Sequence, residues 1–545
     1  MGEGETDDPS TYYRNVGNIS WLRRGFRLPS DTWRPLKPRS TPLTAPRTAT
    51  ADACRRAGWP FRTFEPTSES IRTPRDACFV NRVVILAAVV LAILVVSAVA
   101  FIQLPAGSAK TTSGSSETGT TTTTLACGTG SGSAESDWTT YHGGNSRSGF
   151  SGISADCALA GWRSQALDGD VYAEPLVYNG AVFVATENDS VYALNATNGA
   201  LIWRTNVGTP VQGSTLPCGD INPSGITGTP VIDPTTGTLY AVAFEAPAAH
   251  YLVGLSARDG RVILTRPADP SGADPTVEQE RGALSLSGGM VYIPYGGLAG
   301  DCGEYHGWVV GLRANGSGTQ VSYQVPTSRE GGIWAPSGAA TDSSGDLYVA
   351  TGNGASENVF DHGDAVIKLS PTLQELGYFA PSNWQQLNQA DTDLGSVGPL
   401  LVGNGEIFQI GKEGVGYLLD PANLGGIGGE LFSGQVCASA FGGAAVAGTT
   451  IFVPCTDGLV ALGLSSGSFH TLWRSPSFSA GPPIVTGGVV WTLDTSNGTL
   501  RGYNANTGAE QFSFNTGGVT RFTTPSTGDG MVYVAAGTEV FSFRI

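Results

Sequence analysis

A β-rich pattern that returns about every 49 residues across residues 174–520 constrains this chain more than any other feature. Its clearest copy, residues 174–208, reads EPLVYNGAVFVATENDSVYALNATNGALIWRTNVG: four short apolar or β-branched runs, each broken by Asn, Gly or Asp. Further copies begin near Gly225, Gln279, Gly331, Thr392, Ala438, Phe478 and Thr520. One small sheet cannot bury both its faces, so eight of them must stack on one another. The expected fold over residues 137–545 is therefore all-β, an eight-bladed β-propeller of four-stranded blades. The 76 glycines suit its many tight turns. The last copy, RFTTPSTGDGMVYVAAGTEVFSFRI, holds only three strands, while residues 159–167 (LAGWRSQAL) are an orphan strand before the first copy. Pairing the two completes blade eight and hides two open sheet edges.

Residues 83–102, VVILAAVVLAILVVSAVAFI, form a 20-residue run without a charge. At about 1.5 Å per residue a helix of this length spans about 30 Å of hydrocarbon, so residues 82–104 are expected to be one transmembrane helix. Arg72, Arg75 and Arg82 precede the run and only Lys110 follows closely, which places the N-terminus in the cytoplasm and the propeller outside the cell membrane. Residues 1–81 read as a disordered basic cytoplasmic tail, and residues 105–136 as a Gly/Ser/Thr-rich linker. Residues 1–82 hold 14 Arg/Lys against 9 Asp/Glu, whereas residues 105–545 hold 16 against 37. So acidic a propeller repels nucleic acid. Six cysteines follow the apolar run and allow 15 pairings; Cys437 with Cys455, Cys218 with Cys302 and Cys127 with Cys157 are favoured. No C-x₂-C pair, H-x-x-x-H spacing or G-x-S-x-G elbow points to zinc or to a hydrolase, and His142, His250, His306, His362 and His470 fall in expected loops or lead-ins.

Residues 193–203, ALNATNGALIW, resemble the A-x-D-x-x-T-G-x-x-x-W docking motif of the pyrroloquinoline-quinone (PQQ)-like repeat, whose Trp packs between neighbouring blades. Gly502, Asn504, Thr507, Gly508 and Phe512 repeat it, Gly254, Ser256, Asp259, Gly260 and Leu264 give a weaker copy, and DWTTYHGGNSRSG at residues 137–149 is similar to the lead-in of such propellers. WD40 and kelch signatures are absent. Within the motif, Gly199 supplies positive φ, Asn195 bonds the turn backbone and Trp203 buries a large ring.

The resemblance implies two functions. In dehydrogenases of this family PQQ lies at the propeller axis on a Trp, calcium is held by a Glu and an Asn, and an Asp is the base. Trp334 and Asn353 match the stacking and calcium positions, Asp391 or Asp393 the base, Glu245 the calcium Glu, and Lys412 a cofactor-blade segment. Calcium there polarises the quinone carbonyl while the carboxylate takes the alcohol proton. This chain has neither the adjacent Cys-Cys pair of those enzymes nor a C-x-x-C-H haem site. Similar propellers that bind no quinone serve envelope assembly. The first expectation is accordingly a membrane-anchored binding or scaffold module for envelope proteins or polymers, needing no cofactor and using rim loops at residues 246–251, 296–307 and 354–363. The alternative is a PQQ- and calcium-dependent alcohol or polyol dehydrogenase.

Overall fold

The computed structural model of the protein describes residues 137–152, 157–403 and 405–545. The expected tail, transmembrane helix and linker lie outside the described residues; among the described residues no helix is long and apolar enough to cross a membrane.

Eight sheets, each built on an antiparallel four-stranded series, follow in chain order as blades one to eight. Blade one is the strand series Leu176–Tyr178, Ala181–Thr186, Ser190–Asn195 and Leu201–Asn206. Its second strand is buried throughout, while its fourth alternates exposed and half-buried residues, as an outer strand facing solvent on one side must. Blade eight closes the ring. Its own strands Ser526–Gly528, Met531–Ala536 and Glu539–Arg544 are completed by Leu159–Arg163, which sets Leu159 opposite Arg544 and Arg163 opposite Phe541. Short fifth strands extend three sheets: Phe150–Ser151 on blade seven, Glu278–Glu280 on blade three and Gly426–Ile427 on blade four.

The repeat motif works between blades. The indole Nε1 atoms of Trp162, Trp203 and Trp473 donate to the carbonyls of Ala196, Ala257 and Ala505 at 2.8, 3.0 and 2.9 Å. Each ring lies against the motif glycine of the next blade: Gly199, Gly260 and Gly508 have φ of +70°, +71° and +69°, and an added Cβ would meet the ring at 2.4, 2.5 and 2.6 Å. Asn195 Oδ1 accepts the N–H groups of Thr197 and Asn198 at 3.0 and 3.2 Å. The Trp and Gly of one contact thus come from successive repeats, with Trp162 of the closing strand serving the first blade.

Two favoured disulfides form, Cys218–Cys302 and Cys437–Cys455. Cys157 is also disulfide-bonded, and Cys127, its expected partner, lies outside the described residues. Two expectations need correction. Residues 246–251 are not a rim loop: strands Thr238–Glu245 and Ala249–Ser256 continue into them and leave a three-residue turn. His250 is a strand residue, 1% exposed, stacked on Phe244 at 4.2 Å and bonded to Asp269 at 2.8 Å; its burial, invisible in local sequence, lets the strand run on. His470 likewise lies in a strand, Ser468–Arg474.

The lead-in segment crosses the propeller axis. Its backbone exchanges hydrogen bonds with Val177 of blade one, receives those of Ile232, Thr341, Leu401, Val446 and Val485 in blades two, four, five, six and seven, and Asn145 bonds Leu286 of blade three. Tyr141 reaches Thr524 of blade eight. These partners stand in or beside the first strands, and Asp137 also accepts from Asn179 in the first hairpin. The segment therefore closes the channel at the end where first and second strands are joined. Buried Arg147 holds it by donating to Ala339 O, Thr140 Oγ1, Tyr141 O, Leu284 O and Ser285 Oγ.

Candidate functional site

In a four-stranded meander, the loop between strands two and three and the connector to the next blade share one end, opposite the hairpins that join strands one to two and three to four. All the residues expected at a site lie on that end, away from the lead-in. Trp334 is on the connector into blade four, Asn353 follows strand Leu347–Ala350, Asp391 and Asp393 are on the connector into blade five, and Lys412 follows strand Ile407–Ile410.

The structure brings five of the six together. Lys412 Nζ lies 2.9 Å from Asp391 Oδ1 and 2.9 Å from Asp393 Oδ2. Asp393 Oδ1 accepts the Asn353 N–H at 3.1 Å, and Lys412 Nζ sits 5.6 Å from the centre of the Trp334 ring. Gly352 permits the approach, because a Cβ there would come 2.9 Å from Trp334 Nε1 and 3.3 Å from the Asp393 carboxyl. Burial raises the Asp393 pKa, with Lys412 opposing it. Burial also works against the Lys412 charge, but Asp393 and Asp391 outweigh it and hold Lys412 above the ordinary lysine value. The sixth residue, Glu245, ends a strand of blade two, where its carboxyl packs on Gly208 and faces Asp189 of blade one.

Residues not singled out from sequence complete the site. Asp364 is fully buried, accepts the Leu394 N–H at 2.9 Å through Oδ1 and leaves Oδ2 without a partner; burial first, then Asp393, pushes its pKa well above the carboxylate range. Phe522 meets Trp334 edge-on at 6.3 Å. Arg281 lies 4.3 Å over the Phe522 ring, and Arg521 lies 5.0 Å over Phe441 and 6.0 Å over Phe522. One signal could have found them: Arg281, Trp334, Phe441 and Arg521 stand four to six residues before the first strands of blades three, four, six and eight, where a connector turns in toward the axis.

A divalent cation fits this arrangement poorly. Among the described residues the one group of three His, Cys, Asp or Glu ligand atoms lying within 4.8 Å of one another is Cys437, Cys455 and Asp457, and its sulfurs form a disulfide. At the site, Asp393 is already bound by an ammonium and an amide N–H, and Glu245 belongs to a different pair of blades. A cavity of about 540 Å³ lies at the hairpin end between Tyr178, Phe183, Pro234 and Arg258, without convergent charges.

The family described as outer membrane protein assembly factor BamB matches residues 153–368 and 400–545. The chain belongs to this family. No curated protein matches the sequence. Among solved structures, the quinohemoprotein alcohol dehydrogenase of Pseudomonas putida HK5 is 14% identical with a TM-score of 0.60, over 75% of this chain and 80% of that one. The quinohemoprotein alcohol dehydrogenase from Comamonas testosteroni is 17% identical with a TM-score of 0.57, over 75% and 80%. A europium-containing methanol dehydrogenase is 15% identical with a TM-score of 0.57, over 75% and 98%. At such identities the likeness is one of fold, and the chemistry of this BamB-family propeller rests on its own residues.

Proposed function

We propose that this BamB-family protein is a binding and scaffold module for envelope proteins or polymers, held outside the cell membrane by the apolar segment at residues 83–102. The reading rests above all on the state of the two carboxylates expected as the base: Asp391 and Asp393 both pair with Lys412, and Asp393 also accepts the Asn353 N–H, whereas alcohol oxidation needs a carboxylate free to take a proton. Rigid sheets present two rim loops: the one expected at residues 296–307, whose first two residues end the strand Met290–Gly297 and which Cys218–Cys302 pins, and the one at residues 354–363, which carries Val359, 72% exposed. Photo-crosslinkers placed singly in these two loops of the full chain are expected to trap envelope partners in cells. Partners that persist unchanged when each loop is deleted in turn would defeat the proposal.

The approach of Trp334 to Gly352, next to Asn353, at the connector end supports a second reading, a PQQ- and calcium-dependent alcohol or polyol dehydrogenase, against which the separation of Glu245 from Asn353 counts. Trp334, Asn353, Asp393 and Lys412 would line a bound quinone, which would supply the hydride acceptor. Incubating the purified chain with PQQ and Ca²⁺ separates the two: saturable quinone absorbance with alcohol-dependent reduction of an artificial acceptor supports the enzyme, and no bound quinone leaves the scaffold.

A further inference from the structure

Most cations of the propeller have an acceptor. Arg163, Arg204, Arg329, Lys368, Lys412 and Arg501 pair with carboxylates, and Arg147 and Arg266 donate to oxygens. Arg281 and Arg521 are set apart by where they stand: among the described residues neither guanidinium makes a hydrogen bond or ion pair, which is also true of the exposed Arg261, Arg313 and Arg544, but of these five only Arg281 and Arg521 lie over aromatic rings at the connector end. They come from blades three and eight, yet both lie over Phe522, where like charges repel. Burial depresses the Arg281 pKa, opposed by Asp220, Tyr172 and Glu187. Asp220, the strongest of these, acts across space without a hydrogen bond or ion pair to Arg281, and Glu187, which spends one oxygen on Gly225 N and Thr227 Oγ1 and whose pKa burial lifts to about 7, is a weak counter-charge. Two converging guanidiniums without an acceptor, set among aromatic rings at the open end of a channel closed behind them, leave room for an anion from outside.

We propose that Arg281 and Arg521, with Phe522 between them, form a receptor for an acidic peptide segment of the protein's partner. This rests on the scaffold reading and names the chemistry its open end recognises. Each guanidinium offers a fork of N–H donors that matches a carboxylate, and about 6–7 Å separates side chains on the same face of an extended peptide, a spacing compatible with two cations around one phenyl ring. Carboxylate is favoured over phosphate because the surrounding acidic domain penalises a dianion more than a monoanion. A cleft of about 380 Å³ beside Arg521, lined by Phe441, Pro454 and Ala480 and by four Ser or Thr residues, sets apolar and hydrogen-bonding surface side by side, a mixture that the side chains and backbone of a peptide match. The closed far end admits a chain end or a loop and prevents threading.

The test uses the full chain in detergent micelles and a fluorescein-labelled peptide of alternating glutamate and phenylalanine, read by anisotropy. Saturable binding that weakens with salt is expected, with Arg281→Gln and Arg521→Gln each costing about tenfold in Kd, and Arg258→Gln at the hairpin end costing nothing. Thermal melting checks each variant, and exposed Arg521 serves if the Arg281 variant fails to fold. The proposal is overturned if the folded wild type does not bind the peptide at millimolar concentration, if Arg521→Gln binds it as tightly as wild type, or if inorganic phosphate or polygalacturonate displaces it at lower concentration than unlabelled peptide does. Rim-loop crosslinks surviving any of these outcomes would keep the scaffold reading and discard the receptor alone.

Discussion

The indole N–H of Trp203 donates to the carbonyl of Ala257 at 3.0 Å, joining the outer strand of blade one to the turn of blade two. A hydrogen bond and a ring-on-backbone contact are made together because the indole lies flat against Gly260, whose missing side chain leaves the space. Removing the ring by Trp203→Ala is expected to cost about 3 kcal/mol, the low end for a large aromatic because the side chain is only partly buried. Trp203→Phe keeps most of the ring and is expected to cost about 1 kcal/mol for the lost hydrogen bond. Urea unfolding of the purified chain measures both.

The glycine side of the contact separates backbone strain from collision. Gly260→Ala places a Cβ 2.5 Å from the Trp203 ring at φ +71°, whereas Gly180→Ala meets the same strain at φ +76° with no heavy atom within 4 Å. About 1–2 kcal/mol is expected at Gly180 from the left-handed backbone alone. Gly260→Ala should exceed it by a margin that shrinks when Trp203 is already alanine, which a double-mutant cycle detects.

Ring closure depends on a similar absence. Gly161, in the strand that completes blade eight, lies where a Cβ would come 2.4 Å from Ser542 Oγ and 3.0 Å from Ser542 O. Ser542 Oγ also accepts the Trp162 N–H at 2.8 Å. Gly161→Val should dislodge the strand and expose the edge of Glu539–Arg544, lowering Tm and causing concentration-dependent association in light scattering.

Lys412→Ala strips Asp393 of its cation and leaves a carboxyl 4% exposed with one N–H donor. The expected loss is about 2–3 kcal/mol, below that of a wholly buried pair because Lys412 keeps some solvent. Lys412→Ala combined with Asp393→Asn should recover part of it, since a neutral amide needs no counter-ion.

Through the lead-in, stability should be highest between pH 4.5 and 6.5 and fall on either side. Burial lowers the His142 pKa from 6.5 to about 3, so its contribution is full above pH 6.5 and is lost as pH falls toward 3. Burial raises the Glu174 pKa from 4.5 to about 8, so its contribution is full below pH 4.5 and is lost as pH rises toward 8. His142→Gln should flatten the acid limb of a Tm–pH profile and Glu174→Gln the alkaline limb.

Strand count, blade count and the closing strand were legible in the chain because each rests on spacing within one repeat or between neighbours, and the docking role of the motif Trp was legible through the family resemblance. Trp334, Asn353, Asp393 and Lys412 were legible as a group through the family resemblance, whereas Glu245 was aligned to a role that its place beside Asp189 does not share. The turn at residues 246–248 was hidden because His250, polar in type, is stacked inside the blade.

The sequence by itself determined that short alternating strands, cut by Gly and Asn, must form small sheets that bury their faces on one another. Only the tertiary structure decided what meets at the axis: Arg281 with Phe522, Asp364 with Asp393, and a lead-in bonded to strands throughout the ring. The physical reason is that local periodicity sets a strand's faces, while the side chain each connector turns inward acquires neighbours only when the ring has closed.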